Sequence, residues 1–147
     1  MRKLVVFVLL ILSVKLSLGQ RIHPQNKQEI ITVCEKFLDA FKNGKYADAY
    51  EFLKPYSVVE EYKLDTLANT SREQMNSLSN SFGKTLSFEQ ISEKSIKNSL
   101  IKLVYLLKFE KNYLKLRFIL YNNGSGWTIT NFTYNEEVDD LFDSVTK

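Results

Sequence analysis

Between Leu100 and Tyr134 the chain exchanges apolar and polar residues with the two-residue period of a β-strand. Leu103, Tyr105, Leu107 and Phe109 alternate with Lys102, Val104, Leu106 and Lys108. After a short polar break, Leu114, Leu116, Phe118 and Leu120 alternate with Tyr113, Lys115, Arg117, Ile119 and Tyr121. That spacing predicts two strands with one face on a core. Asn122-Asn123-Gly124-Ser125-Gly126 is a run that tolerates positive φ, so the chain is expected to reverse there into Trp127-Thr128-Ile129-Thr130 as a hairpin partner. If the alternation of Trp127 and Ile129 continues, Asn131 points inward and must find partners. A bulge would turn Phe132 inward instead, and the pattern leaves both open.

The N-terminal half has the helical period. Ile30, Val33, Cys34, Phe37 and Phe41, with Ile31 and Leu38 beside them, follow the i, i+3, i+4, i+7 spacing of one helix face, and Gly44 stops the run. Tyr46, Ala47, Ala49, Tyr50, Phe52 and Leu53 predict a second, shorter helix that Pro55 ends. Ser57 to Leu67 reads as a helical turn or two broken by Asn69-Thr70-Ser71. Ser71 with Gln74 then resembles a capping box that opens a third helix through Met75, Leu78 and Phe82 to Gly83. Leu86 to Ile96 reads as an edge strand protected by Glu89, Glu93 and Lys94. Past Tyr134, Val138, Leu141, Phe142 and Val145 share a helical face in an acidic tail. Helices first and a meander after predict an α+β domain with the helices packed on one face of an antiparallel sheet.

Charge and cysteine use change the picture at the N-terminus. Arg2 and Lys3, the apolar run Leu4 to Val14, and Ser17-Leu18-Gly19 match a secretory signal peptide over residues 1–19, cleaved before Gln20. Its removal takes away Arg2, Lys3 and Lys15, which leaves 128 residues with no net charge in place of the formal +3. A neutral domain of that size argues for one core and against nucleic acid as a partner. The expected organisation is a flexible lead-in over 20–26 and a single domain over 27–147 that ends in the acidic helix, secreted or periplasmic, with no membrane span after processing. With Cys34 as the only cysteine, no internal disulfide can hold it.

The order of parts resembles the nuclear transport factor two-like, or cystatin-like, α+β cone superfamily, in particular its small exported bacterial members. Phe37-Leu38-Asp39-Ala40-Phe41-Lys42-Asn43-Gly44-Lys45-Tyr46-Ala47-Asp48-Ala49-Tyr50 resembles the first helix, glycine turn and second helix of that superfamily, and Trp127-Thr128-Ile129-Thr130-Asn131-Phe132 its last strand. The resemblance covers about residues 27–135 and implies a long curved sheet wrapped around helices with a conical pocket between them. It implies no single activity, because such folds host isomerases, cyclases, dehydratases and binding modules.

Catalytic chemistry finds few residues. An enzyme of the ketosteroid isomerase or polyketide cyclase kind needs an acidic or histidine base inside the cone. From Leu100 to Tyr134 the only acid is Glu110, in the polar break, and there is no histidine. Asp39 and Asp48 on the helical hairpin read as solvated charges. His23 and Cys34 are the only residues of their kinds, too few for a zinc site and without an orienting third group. The expectation is therefore an exported, non-catalytic domain that binds a small apolar molecule, a peptide or an envelope protein, with the pocket enzyme as the alternative. No catalytic residue, metal or cofactor is assigned. Tyr46, Tyr50 and Asn131 are the expected polar handles of the pocket.

The outer face of the sheet carries Lys102, Val104, Leu106, Lys108, Tyr113, Lys115, Arg117, Ile119, Tyr121, Thr128 and Thr130, half apolar and otherwise basic. A solvated face is normally more polar, so this one is expected to be covered, by the acidic tail or by a second copy in a homodimer.

Overall fold

A computed structural model describes residues 21–142. The expected signal peptide and residues 143–147 of the tail lie outside the described residues. Three helices precede a four-stranded antiparallel meander in the order β1-β2-β3-β4. The strands are β1 (Thr85–Ile96), β2 (Leu100–Phe109), β3 (Tyr113–Asn122) and β4 (Trp127–Asn135). The sheet is open, since β1 and β4 are its two edges.

Helix α1 (Lys27–Lys42) starts where the Asn26 side chain accepts a hydrogen bond from the Gln28 amide at 2.8 Å, satisfying one of the amides that a helix start leaves unpaired. Gly44, at φ +73°, lets the chain turn into α2 (Tyr46–Leu53). Helix α3 (Glu61–Phe82) corrects the sequence reading, because it is one continuous helix of 22 residues with no break at Asn69-Thr70-Ser71. Its buried residues are Leu64, Ala68, Ser71, Met75 and Phe82, so the apolar stripe runs straight through the polar triplet and Ser71 belongs to it. Asn69 and Thr70 are exposed and cost the helix little. The Ser71 hydroxyl, taken for a cap, faces the interior.

Of the ten inward positions in the alternation on β2, β3 and β4, nine from Leu103 to Ile129 are buried and Phe109, at the end of β2, is half-buried. Strands β2 and β3 pair without a shift from Leu100 opposite Tyr121 to Lys108 opposite Tyr113. In β4, Leu120 faces Ile129 and Ile119 faces Asn131, so Thr130 is the extra residue of a bulge. Beyond it Phe132 stands opposite Phe118 on the inner face and Asn131 is exposed on the outer one, which decides between the two readings of that strand.

The described part of the lead-in, residues 21–26, has no helix or strand but is tied down. Ile22 N donates to Pro55 O at 2.7 Å, Trp127 N donates to Pro24 O at 2.8 Å, and the Gln25 amide reaches Ser125 O. Pro24 is buried. The segment thus closes over the β3–β4 hairpin where the sequence predicts a loose lead. The segment after α2 covers part of the β4 edge. Val58 N donates to Ile129 O at 3.1 Å, and Thr128 Oγ1 donates to Tyr56 O at 2.9 Å. At the other end, the described part of the acidic tail forms a single turn, α4 (Asp139–Phe142).

Candidate functional site

Helix α1 lies on the inner face of the sheet through its phenylalanines. Phe37 is fully buried, with ring centroids 4.7 Å from Phe132, 5.2 Å from Tyr50, 5.4 Å from Phe41 and 5.7 Å from Phe118. Edge-to-face contacts dominate this cluster, the geometry that ring quadrupoles favour. The centre of the space where the resemblance implies a pocket is therefore filled with aromatic rings.

A chain of hydroxyls crosses the cluster. Tyr50 Oη lies 2.9 Å from Ser71 Oγ, Ser71 Oγ lies 3.0 Å from Tyr134 Oη, and Tyr134 Oη donates to Gln74 Oε1. The end acceptor sets the direction. Gln74 Oε1 can only accept, so Tyr134 donates to it, Ser71 donates to Tyr134, and Tyr50 donates to Ser71. Each hydroxyl is then satisfied in a setting where an unpaired one is costly. Burial pushes the Tyr50 phenol well above its ordinary range, and burial with Tyr134 nearby raises Tyr46 as well. Both remain neutral donors at physiological pH. Replacing Ser71 by alanine leaves the Tyr50 hydroxyl without its acceptor and is expected to cost about 1–3 kcal/mol. Urea denaturation checks it: the loss should shrink in a Tyr50→Phe background, and an equal loss in both backgrounds would show that the Tyr50–Ser71 bond contributes nothing, since the Ser71–Tyr134 bond is lost in both.

At the edge of this cluster a cleft of about 340 Å³ opens where the end of α3, the α3–β1 turn and the β2–β3 turn meet. Met75, Leu78, Phe82 and Phe109 supply apolar walls, and Tyr46, Asn76, Lys84 and Glu110 supply polar groups. The Tyr46 ring stands 4.9 Å from Phe41 at 80°, so the tyrosine is anchored by the aromatic cluster while half-buried at the cleft. The two turns hold each other: Glu110 N donates to Lys84 O at 3.0 Å, its carboxylate accepts from Lys84 N at 3.0 Å, and Lys111 N donates to Phe82 O at 2.9 Å. Glu110 is the one acid lining the cleft, with one oxygen committed to the Lys84 amide.

Of the three expected handles, Tyr46 lines the cleft, Tyr50 is buried in the aromatic cluster and does not line it, and Asn131 lies on the other side of the sheet, exposed and opposite Ile119. Asp39 is exposed and paired with Lys42 at 3.0 Å, and Asp48 is exposed. His23 lies in the lead-in, its carbonyl against Gly126. Cys34 is buried in the core, and burial pushes its thiol well above the usual range, opposite to what a nucleophile needs. Among the described residues, the buried polar or charged ones are Ser57, Ser71, Lys115 and Thr128, and no group of three potential metal ligands occurs. The base that an isomerase or cyclase requires has no candidate among these buried groups.

Sequence reasoning missed Ser71, Gln74 and Tyr134 as partners. Two signals were present: Ser71 falls seven residues after Leu64 on the same helix face, and Tyr134 is in phase with Phe132 once Thr130 is taken as the extra residue.

No profile of a known protein family matches the chain, and no curated protein matches it. Among solved structures, the crystal structure of a DUF4783 family protein from Bacteroides uniformis is similar with a TM-score of 0.42, covering 70% of this chain and 95% of that one at 11% identity. So remote a similarity says nothing about function.

Proposed function

We propose that the protein is an exported, non-catalytic α+β binding domain, and that the cleft beside Tyr46 takes a small molecule with an apolar body and a polar end, or an apolar side chain of a peptide. The observation that carries this reading is the lining of the cleft: the half-buried Leu78 and Phe109 offer apolar surface beside Tyr46, Asn76, Lys84 and Glu110, so that apolar and polar lining are about equal. Ligand sites commonly combine apolar walls with a few placed polar groups. Tyr46 serves as the direct handle, and Tyr50 holds the helix that carries it through its bond to Ser71. Asn131 takes no part in this cleft. Export rests on the features of residues 1–19 alone.

A ligand-detected magnetic resonance screen of fatty acids, sterols and aromatic acids tests the reading, with hits repeated on Leu78→Lys. That residue is half-buried and lines the cleft, so the substitution places a charge there without emptying the core. The expected result is a hit that weakens about tenfold or more in the variant, a difference of about 1.4 kcal/mol. Equal affinity in a variant that remains folded would place the ligand elsewhere and overturn the proposal.

A further inference from the structure

The two edges of the sheet differ in what lies against them. The β4 edge is partly covered, since Ser57 bridges to Ile129 and Val58 N donates to Ile129 O. Among the described residues β1 pairs with β2 alone, and of its 12 residues only Thr85, Phe88 and Ser92 are not exposed. Ile91 and Ile96 are 41% and 66% exposed. A bare strand edge offers unpaired N–H and C=O groups to any other strand, and charged side chains are a common defence. Here Glu89, Glu93 and Lys94 supply it. Their order, however, admits one partner. The register with β2 places Glu89, Ser92 and Lys94 on the outer side, opposite Leu106, Val104 and Lys102, and Gln90 and Glu93 on the inner side, opposite Tyr105 and Leu103. Ile91 is the extra residue between Gln90 and Ser92.

We infer that the β1 edge is the docking site of a second copy of this chain, paired antiparallel about a two-fold axis at Ser92, which joins the two four-stranded sheets into one. A two-fold interface sets a surface against itself, and residues directly opposite in an antiparallel pair share a face. Axes at Glu89, Glu93 or Lys94 would set like charges opposite each other, which is destabilising. The axis at Ser92, with Ile91 left out of the ladder as it already is against β2, sets Glu89 opposite Lys94 of the second copy and Lys94 opposite its Glu89. No other axis in the strand gives these two residues to each other. Both are exposed and free to meet: Lys94 forms none of the ion pairs found among the described residues, and Glu89 commits one oxygen to Lys108. On the inner side Gln90 then stands opposite Glu93, and the exposed Ile91 of each copy lies beside the axis. A strand of another protein would have to match this order of charges, whereas a second copy carries the match by construction.

The test is a charge exchange in the full mature chain, read by sedimentation equilibrium, with folding followed by circular dichroism. Expected is a dimer that weakens about tenfold or more in Lys94→Glu and again in Glu89→Lys, because each variant sets two like-charged pairs across the axis. Mixing the two variants should restore the dimer as a heterodimer, since each then meets the opposite charge at both positions. A protein that stays monomeric up to about 1 mM, a dimer indifferent to both exchanges, or variants that dissociate and remain apart when mixed would each overturn the inference. The first of these would leave the edge to a strand of another protein, and the second would put the interface elsewhere. A second measurement reads the edge itself: β1 amides that do not bond to β2 should exchange hydrogen severalfold faster in Lys94→Glu than in the unaltered dimer, and equal rates would equally sink the idea.

Discussion

Replacing Phe37 by alanine is expected to destabilise the fold by about 3–5 kcal/mol, the usual range for removing a fully buried phenylalanine ring. The site is poorly able to collapse around the loss. Phe37 touches rings on three other elements, namely Tyr50 on α2, Phe118 on β3 and Phe132 on β4, so no single neighbour can move into the space without leaving another contact. A domain of ordinary stability has about 5–15 kcal/mol in all, so Phe37→Ala should be marginal at room temperature. Urea unfolding followed by circular dichroism gives the number. A loss under about 1 kcal/mol would mean that the cluster repacks freely, and would be far below what deleting a buried ring costs. A companion Phe37→Leu substitution keeps most of the volume and should lose much less.

The second large effect is expected at Gly126. Its φ of +134° is a conformation that side chains rarely adopt, and a Cβ there would sit 2.4 Å from the His23 carbonyl oxygen. That oxygen belongs to backbone, so it can yield only if the lead-in itself moves. Gly126→Ala is expected to cost about 1–3 kcal/mol from the dihedral alone, with the collision added. The diagnostic result is local. Hydrogen exchange should accelerate at the Ile22 and Trp127 amides, which donate to Pro55 and Pro24, while the β2–β3 amides lose protection only as far as global stability falls. Unchanged exchange at Ile22 and Trp127 would show that the lead-in does not depend on the glycine.

The strand faces were legible because the two-residue period leaves no intermediate choice: once Leu116 and Phe118 are inward, Lys115 and Arg117 must be outward. The helical hairpin was legible for a similar reason, since Gly44 and Pro55 punctuate a strong apolar period. Helix α3 was not, because Asn69-Thr70-Ser71 carries a local preference for breaking helices that was weighed without the face each residue occupies. Only tertiary contact overrides it, through the buried Ser71 hydroxyl between two tyrosines. The lead-in was misjudged for a different reason. Its bonds to Pro55 and Trp127 join residues distant in sequence and leave no periodic trace. Of the cleft's lining, only Tyr46 was singled out from its spacing, since Tyr50 is buried in the aromatic cluster, and the cleft depends on the docking of Glu110 against Lys84, which no local pattern announces.

Where they are paired, the two edge strands hold more residues than the stretches of β2 and β3 they face. Strands β2 and β3 match residue for residue, whereas β4 carries Thr130 in excess and β1 carries Leu86 and Ile91, each left unpaired where its register shifts. A ribbon whose margins are longer than its midline cannot lie flat, and each added residue bends its strand further. The depth available to the aromatic ridge of α1 is on this account set by counting rather than by chemistry. A substitution at Thr130 should be mild, because the backbone excess survives any side chain that fits. Deletion of Thr130 should keep Phe132 facing inward, since Asn131 would then simply continue the alternation from Ile129, yet it would straighten the strand and bring Phe132 closer to Phe37. Length variation at positions 86, 91 and 130 is thus a dial on the interior of this fold, one that would change how much room lies between sheet and helices while leaving every inward-facing residue where it is.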